Sequence, residues 1–276
     1  MLSQTEARRI RGLQTRKNRE REGLFVAEGI RVVEDLVDSG LVLHEVVVAP
    51  SVEDTPRGQA LLRRAEQRAG QRPGDRSRKG TRVLRATDVA LRDLSGTDTP
   101  QGILAVARIP QHTLNDIAFH ADSVDRAAGD VVLVLDGVQD PGNLGTLIRA
   151  ADAFAIAGVV ALPGTVDCWN PKVVRAAAGS LFRVPVVYAA AHDVAAWLSA
   201  HDVRAYAADA GGRDIEAIEP AARAALVVGN EGAGLSDEVR AFAKETVAIA
   251  MPGRAESLNV AVAAGILLYL FTRQRS

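Results

Sequence analysis

Asn143 and Arg149 stand in DPGNLGTLIRAAD, Glu231 in VVGNEGAGL, and Ser257 with Asn259 in MPGRAESLNV. An arginine within an apolar helical pattern needs a counterpart, and a carboxylate or a phosphate serves. Taken alone, the first stretch reads most simply as a helix cap at Asn143 with Arg149 in a structural ion pair. The other two stretches repeat its plan: a strand, a turn rich in Gly, Asn, Ser and an acid, then a helix or further chain. That repetition suggests one composite site.

The elements that must position these residues can be read around them. Val131–Leu135 is a short β-branched run without a breaker, hence a buried strand. Asp136, Gly137, Asp140, Pro141 and Gly142 make a turn, and Asn143 suits the N-cap of a helix through Leu147, Ala150, Ala151 and Phe154. A second strand ends at Gly229. A third is expected over residues 246–251, followed by a Pro252-Gly253 turn and a long apolar helix opened by Ser257, Leu258 and Asn259. Strand, turn and helix N-terminus together place side chains at the carboxyl edge of a sheet, where α/β folds bind ligands.

These residues carry a resemblance. N-x-G-x-x-x-R at Asn143, Gly145 and Arg149 resembles the first motif of the SpoU/TrmH family of RNA ribose 2′-O-methyltransferases, within the SPOUT superfamily. G-N-E-G-x-G-L from Gly229 to Leu235 is similar to the second motif, and M-P-G-x-x-x-S-L-N-V from Met251 to Val260 to the third. The match runs in order over residues 131–271, about half of the chain. The resemblance implies methyl transfer from S-adenosylmethionine to a ribose 2′-hydroxyl, without a metal. It gives the central catalytic role to Arg149, assisted by Asn143, Glu231, Ser257 and Asn259. Cofactor contact falls to Gly229, Ile249 and Leu258, with Met251 and Asn259 close by. Glu231 either holds Arg149 or positions the hydroxyl. A guanidinium stays protonated in proteins, so binding the target phosphate and stabilising charge on the ribose oxygen suits Arg149 better than acting as a base. The resemblance further implies a catalytic domain with a deep trefoil knot and a homodimer with the last helix at its interface. One departure is local: Ala248-Ile249-Ala250-Met251-Pro252 replaces the family's usual I-P-M order.

The rest of the chain bounds the reading. With 47% apolar residues it is ordinary globular material, and its one cysteine, Cys168, excludes an internal disulfide and a cysteine-cluster metal site. The five histidines, His44, His112, His120, His192 and His201, lie outside every motif and show no metal-ligand spacing. The N-terminus lacks an apolar signal core, and the 12 residues of 260–271 are too few to span a bilayer, so a cytoplasmic protein off the membrane is expected. The net charge of −1 hides an asymmetry: residues 1–110 carry 20 Lys and Arg against 15 Asp and Glu, and the remainder 13 against 19. A basic first half suits a polyanion.

That first half reads as a compact α/β domain over residues 1–108, with a polar linker over 109–129 and the catalytic domain over 130–276. Residues 3–21 are a basic helical stretch; Arg16, Lys17 and Arg19, with Arg31 further on, are candidate phosphate contacts, a solvated face being the alternative. Strands are expected at residues 25–27, 43–49 and within 97–108, with helices between, and residues 71–85 as an exposed basic loop. FVAEGIR from Phe25 and TPQGILAV from Thr99 resemble the family's substrate-binding domain, itself similar to a small ribosomal RNA-binding protein. Beyond the first motif, βαβαβ alternation predicts a mostly parallel sheet covered on both faces.

The resulting expectation is a two-domain α/β enzyme acting on large-subunit rRNA, with Arg149 also touching RNA. A tRNA methyltransferase is the runner-up, and a non-catalytic RNA-binding or ribosome-assembly factor a different class. A dinucleotide enzyme is disfavoured, since G-x-G-x-x-G is absent after the early strands.

Overall fold

The apolar runs and periodic segments sort into strands and helices that form two units in the computed structural model, which describes residues 1–70, 80–119 and 130–273. One unit comprises Met1–Gln111 with Asp167–Phe182, the other His112–Val166 with Arg183–Ser276.

In the first unit, α1 (Gln4–Gly12) opens with a capping box in which Ser3 and Glu6 satisfy each other's backbone amides. There follow α2 (Arg16–Glu22), β1 (Leu24–Glu28), α3 (Ile30–Asp38), β2 (Leu43–Val48), α4 (Pro56–Gly70), β3 (Arg82–Arg85), α5 (Asp88–Leu94) and β4 (Ile103–Arg108). The sheet order is β1-β4-β2-β3, with β4 antiparallel to both β1 and β2 and β3 parallel to β2. Ile10, Leu13, Val26, Val47, Leu91, Leu94 and Leu104 share one core. Part of the expected basic loop is therefore ordered strand: Arg82–Arg85 pairs with β2, because Leu84 supplies an apolar residue to that core. The rest of that loop, residues 71–79, lies outside the described residues, as do residues 120–129 of the expected linker, including His120. The linker is more than polar chain where it is described, since Ile117 is buried in the core of the second unit.

The second unit begins with β5 (Val131–Leu135), α6 (Pro141–Ala153) and β6 (Gly158–Ala161). The chain then gives Asp167–Phe182, with α7 (Pro171–Ala176), to the first unit. A segment within the stretch expected as the C-terminal domain is thus packed with the first unit. The reason is apolar and ionic: within that unit the Phe25 ring packs tilted against Trp169 at 4.4 Å and Phe182 at 5.8 Å between centroids, and Arg19 pairs with Asp167. The second unit resumes with β7 (Val186–Tyr188), α8 (Ala191–Ala200), β8 (Arg204–Asp214), β9 (Ala224–Val228), α9 (Asp237–Phe242), β10 (Glu245–Ala248) and α10 (Val260–Arg273).

Its sheet order is β10-β8-β9-β5-β6-β7, and every ladder among the described residues is parallel. Val132, Val134, Val160, Ala225 and Val227 face Val194, Trp197 and Leu198 of α8 and Val239 of α9. The alternate positions, Val131, Leu133 and Leu135, point to the opposite side, covered by α6 and α10, which pack on each other and on β6 and β9. Strand β9, late in sequence, returns between β5 and β8. That reversal of order opens the crevice at the carboxyl ends of β5 and β9.

Two strands differ from their expected lengths. Strand β10 stops at Ala248 rather than Met251, so residues 249–259 are free to form a loop. Strand β8 runs on past residue 208: Ala207 pairs with Thr246 and Arg213 with Val247, leaving residues 208–212 looped out of the ladder.

Candidate active site

The site is built in the second unit at that crevice. Helix α6 starts two residues before Asn143. Asp140, not Asn143, is the N-cap: its Oδ1 accepts the Asn143 amide at 2.8 Å, and Pro141 fills the first helical position, where a missing N–H costs nothing. The correction has a chemical consequence, because the Asn143 side chain is released from capping. Its Nδ2 donates to Glu231 Oε1 at 2.6 Å, and its Oδ1 accepts from Asn259 Nδ2 at 3.0 Å. Asn259 in turn caps α10, its Oδ1 accepting the amides of Ala261 at 2.9 Å and Val262 at 3.3 Å. One chain of side-chain hydrogen bonds thus joins residues from all three motifs across 116 positions of sequence.

The loop after β9 is closed by its own backbone. Asn230 and Gly234 exchange amide hydrogen bonds at 3.0 and 2.9 Å, and Gly234 sits at φ +69°. A Cβ at Gly229 would lie 2.5 Å from the Gly234 carbonyl oxygen. The glycine is required to close the loop, before any question of a ligand. Asn230 ties this loop to the first by donating to the Gly137 carbonyl at 2.8 Å, and Asp136 at the end of β5 accepts the Ser236 amide at 2.6 Å.

Beside this relay is a cavity of about 520 Å³, within the range of small-molecule sites. Gly229, Glu231, Ile249, Met251, Ser257, Leu258 and Asn259 all line it. Leu258, 36% exposed, offers an apolar wall to whatever enters. Asn143 stands behind the lining, joined to it through Glu231 and Asn259. Arg149 lies further along α6, exposed, and no hydrogen bond or ion pair joins it to Glu231 among the described residues. The alternative in which Glu231 holds Arg149 is therefore not realised; Glu231 holds Asn143. An exposed arginine also needs no internal counterpart, which removes the structural ion-pair reading of the first motif.

The candidate RNA contacts lie in the first unit and divide. Lys17 and Arg31 are exposed, and Arg16 is exposed with its Nε on Glu20 at 2.6 Å. Arg19 is not a surface residue at all. It is 2% exposed, donates from Nε to Asp167 at 3.0 Å, and places Nη1 on the carbonyls of Leu13 at 2.8 Å and Gln14 at 2.9 Å. Its fork fixes the turn between α1 and α2, so it is corrected from RNA contact to core residue. Sequence reading also passed over Glu28 and Gln101. Buried Glu28 accepts the Gly96 amide at 3.0 Å and Thr97 Oγ1 at 2.9 Å, while Gln101 Oε1 accepts the Ile30 amide at 2.8 Å, next to Arg31. An acid inside an otherwise apolar strand, FVAE, was the available signal.

Residues 130–269 match the SpoU rRNA Methylase family, and residues 5–105 match an MRM3-like substrate binding domain. A 23S rRNA (guanosine(2553)-2′-O)-methyltransferase, RlmP, of Bacillus subtilis is 35% identical over 93% of this chain and 92% of its own length. A 23S rRNA (uridine(2479)-2′-O)-methyltransferase of Streptomyces viridochromogenes is 29% identical over 95% of this chain and 87% of its own. The crystal structure of the SpoU methyltransferase AviRb from Streptomyces viridochromogenes with the cofactor AdoMet superposes with a TM-score of 0.83 at 28% identity, covering 99% of this chain and 98% of that one. This chain belongs to the SpoU rRNA methylase family.

Proposed function

We propose that the protein transfers a methyl group from S-adenosylmethionine to a ribose 2′-hydroxyl of RNA, with large-subunit rRNA as the substrate class. The observation that carries this reading is the Glu231–Asn143–Asn259 relay, which holds the three motif loops as one edge of the cavity. The residues present fit the cofactor. Apolar side chains from β10 and α10 flank the cavity, the loop after β9 exposes main-chain groups, and among the described residues no lysine, arginine or histidine lines it, which disfavours a phosphate-bearing nucleotide. When bound, S-adenosylmethionine supplies an electrophilic methyl on a positively charged sulfur.

The chain's own work is positioning, because displacement at carbon needs the attacking oxygen in line. Arg149, exposed beside the crevice, binds a phosphate of the target and stabilises charge developing on the ribose oxygen. Glu231, held by Asn143, orients the 2′-hydroxyl, and Ser257 lies on the lining where it can share the proton. The 2′-hydroxyl restricts the substrate to RNA. Lys17, Arg16 and Arg31 hold RNA phosphates on the first unit.

Three further features belong to the same reading. The loops after β9 and β10 are threaded as the trefoil knot of the family, supported by the insertion of β9 between β5 and β8. The protein forms a homodimer through α10, where Val262, Ile266 and Tyr269 are 51%, 37% and 46% exposed at spacings of four and three residues, an apolar stripe a second copy would cover. The site of action is the cytoplasm; among the described residues no helix is long and apolar enough to cross a membrane.

The test is methyl transfer from radiolabelled donor to large-subunit rRNA, small-subunit rRNA, tRNA and ribosomal particles, followed by nucleoside analysis. A 2′-O-methylnucleoside from large-subunit rRNA or its particle is expected. Label confined to tRNA would move the substrate to the other branch of the family. Cofactor binding without transfer to any substrate would favour an assembly factor. The modified base is left to this experiment, since the two relatives act on guanosine and on uridine.

A further inference from the structure

Two acidic residues, Glu231 and Asp209, are among the residues lining the cavity, and among the described residues no lysine, arginine or histidine lines it with them. Glu231 is engaged by Asn143, whereas Asp209 has no part in the relay. Asp209 stands in the bulge over residues 208–212, where five residues of β8 face a single step of β10, from Thr246 to Val247. Bulges of this kind re-aim a side chain beside a ligand site. Here Gly212 makes the return to the ladder: a Cβ there would lie 2.7 Å from backbone atoms of Thr246 and Val247. Asp209 Oδ1 accepts the Gly211 amide at 3.0 Å, and Oδ2 accepts from Arg240 Nη2 at 3.3 Å. Each oxygen keeps a further lone pair, so the carboxylate is fixed in direction without being closed to a ligand.

We propose that Asp209 selects the charged methyl donor over its neutral product. The inference rests on the methyl-donor reading above. S-adenosylmethionine carries a positive sulfur, and S-adenosylhomocysteine, left after transfer, carries a neutral thioether; the ammonium and carboxylate of the amino-acid part are common to both. The negative charge of a residue on the cavity wall attracts the first and gives the second no matching gain. Release of product is thereby favoured over release of donor. With its side chain 33% exposed and Arg240 beside it, the attraction is damped by water and by an opposing charge. The effect is therefore a moderate preference.

Calorimetric titration of the full chain with donor, product and sinefungin, an analogue with an ammonium-bearing carbon in place of the sulfonium, tests this. Asp209→Asn keeps the shape and the acceptor for Gly211 while removing the charge. Its affinity for donor and sinefungin is expected to fall about three- to five-fold, and for product less than about two-fold. In the wild-type chain the preference for donor over product is expected to narrow between about 0.05 M and 0.5 M salt. Equal weakening of all three ligands in the variant would assign Asp209 to the shared ammonium and overturn the proposal. An unchanged ratio in the variant, or a salt-independent preference in the wild type, would overturn it too. If the wild type binds none of the three, the methyl-donor reading itself falls, and this inference with it.

Discussion

The two units differ in where most of their telling charges stand, although the second also buries one carboxylate, Asp136, against the Ser236 amide. In the first, Arg19, Glu28 and Glu45 are buried, each enclosed by hydrogen bonds or ion pairs; Glu45 takes both Arg9 and Arg82. In the second, Arg149, Glu231, Ser257 and Asn259 stand exposed at the edge of an apolar parallel sheet, with Asn143 half-buried behind them. Charge inside the first unit fixes shape, and charge at the rim of the second stays available to a ligand. A count of basic residues thus overstates the RNA surface of the first unit, because several are held by acids of the same unit.

Five variants and one change of pH bear on this contrast, in descending order of effect. Arg19→Met leaves Asp167 and two backbone carbonyls without their donor. It is expected to lose roughly 3–5 kcal/mol of stability, read as a shift of the denaturant midpoint at unchanged slope. A near-neutral result would show that Arg19 is not a structural charge. Asn143→Ala cuts the relay at its centre while leaving the Asp140 cap intact; methyl transfer at saturating substrates should fall about 10²-fold, with thermal stability little altered. Lys17→Ala and Arg31→Ala should each weaken RNA binding several-fold and lower the salt dependence of the affinity by about one unit. Arg31 losing affinity without any change in salt slope would mean it does not meet a phosphate.

The smallest effect concerns acid. Burial, then the Arg108 guanidinium, pushes the His44 pKa below its ordinary value. A depressed native pKa contributes stability that is fully present above the unfolded value, about 6.5, and is lost as pH falls below it. Stability measured across this range should decline on the acid side, and His44→Gln should flatten the slope. An identical slope in the variant would place the titration elsewhere.

The motif residues were legible in the sequence because glycines, asparagines and a proline punctuate apolar strands at fixed offsets. The strands β5 and β9 were legible for the same reason. The cap at Asp140 was missed because Asp140 and Asn143 both suit an N-cap, and only Pro141 decides between them. Arg19 was misread because a basic run carries no sign of which member meets an acid 148 positions away. The bulge at residues 208–212 was invisible as well. DAGG looks like the end of a strand, and its return to β10 depends on a register that only pairing reveals. The passage of Asp167–Phe182 to the first unit had the same origin, since Trp169 and Asp167 choose their partners, Phe25 and Arg19, by packing rather than by pattern.

The most direct measurement is single-turnover methyl transfer by Arg149→Ala, with donor affinity determined in parallel on the same protein. The account expects a loss of about 10³-fold or more in rate, with the donor dissociation constant within about two-fold of wild type, because Arg149 lies outside the cavity lining. A rate close to wild type, or a loss fully explained by weaker donor binding, would contradict it.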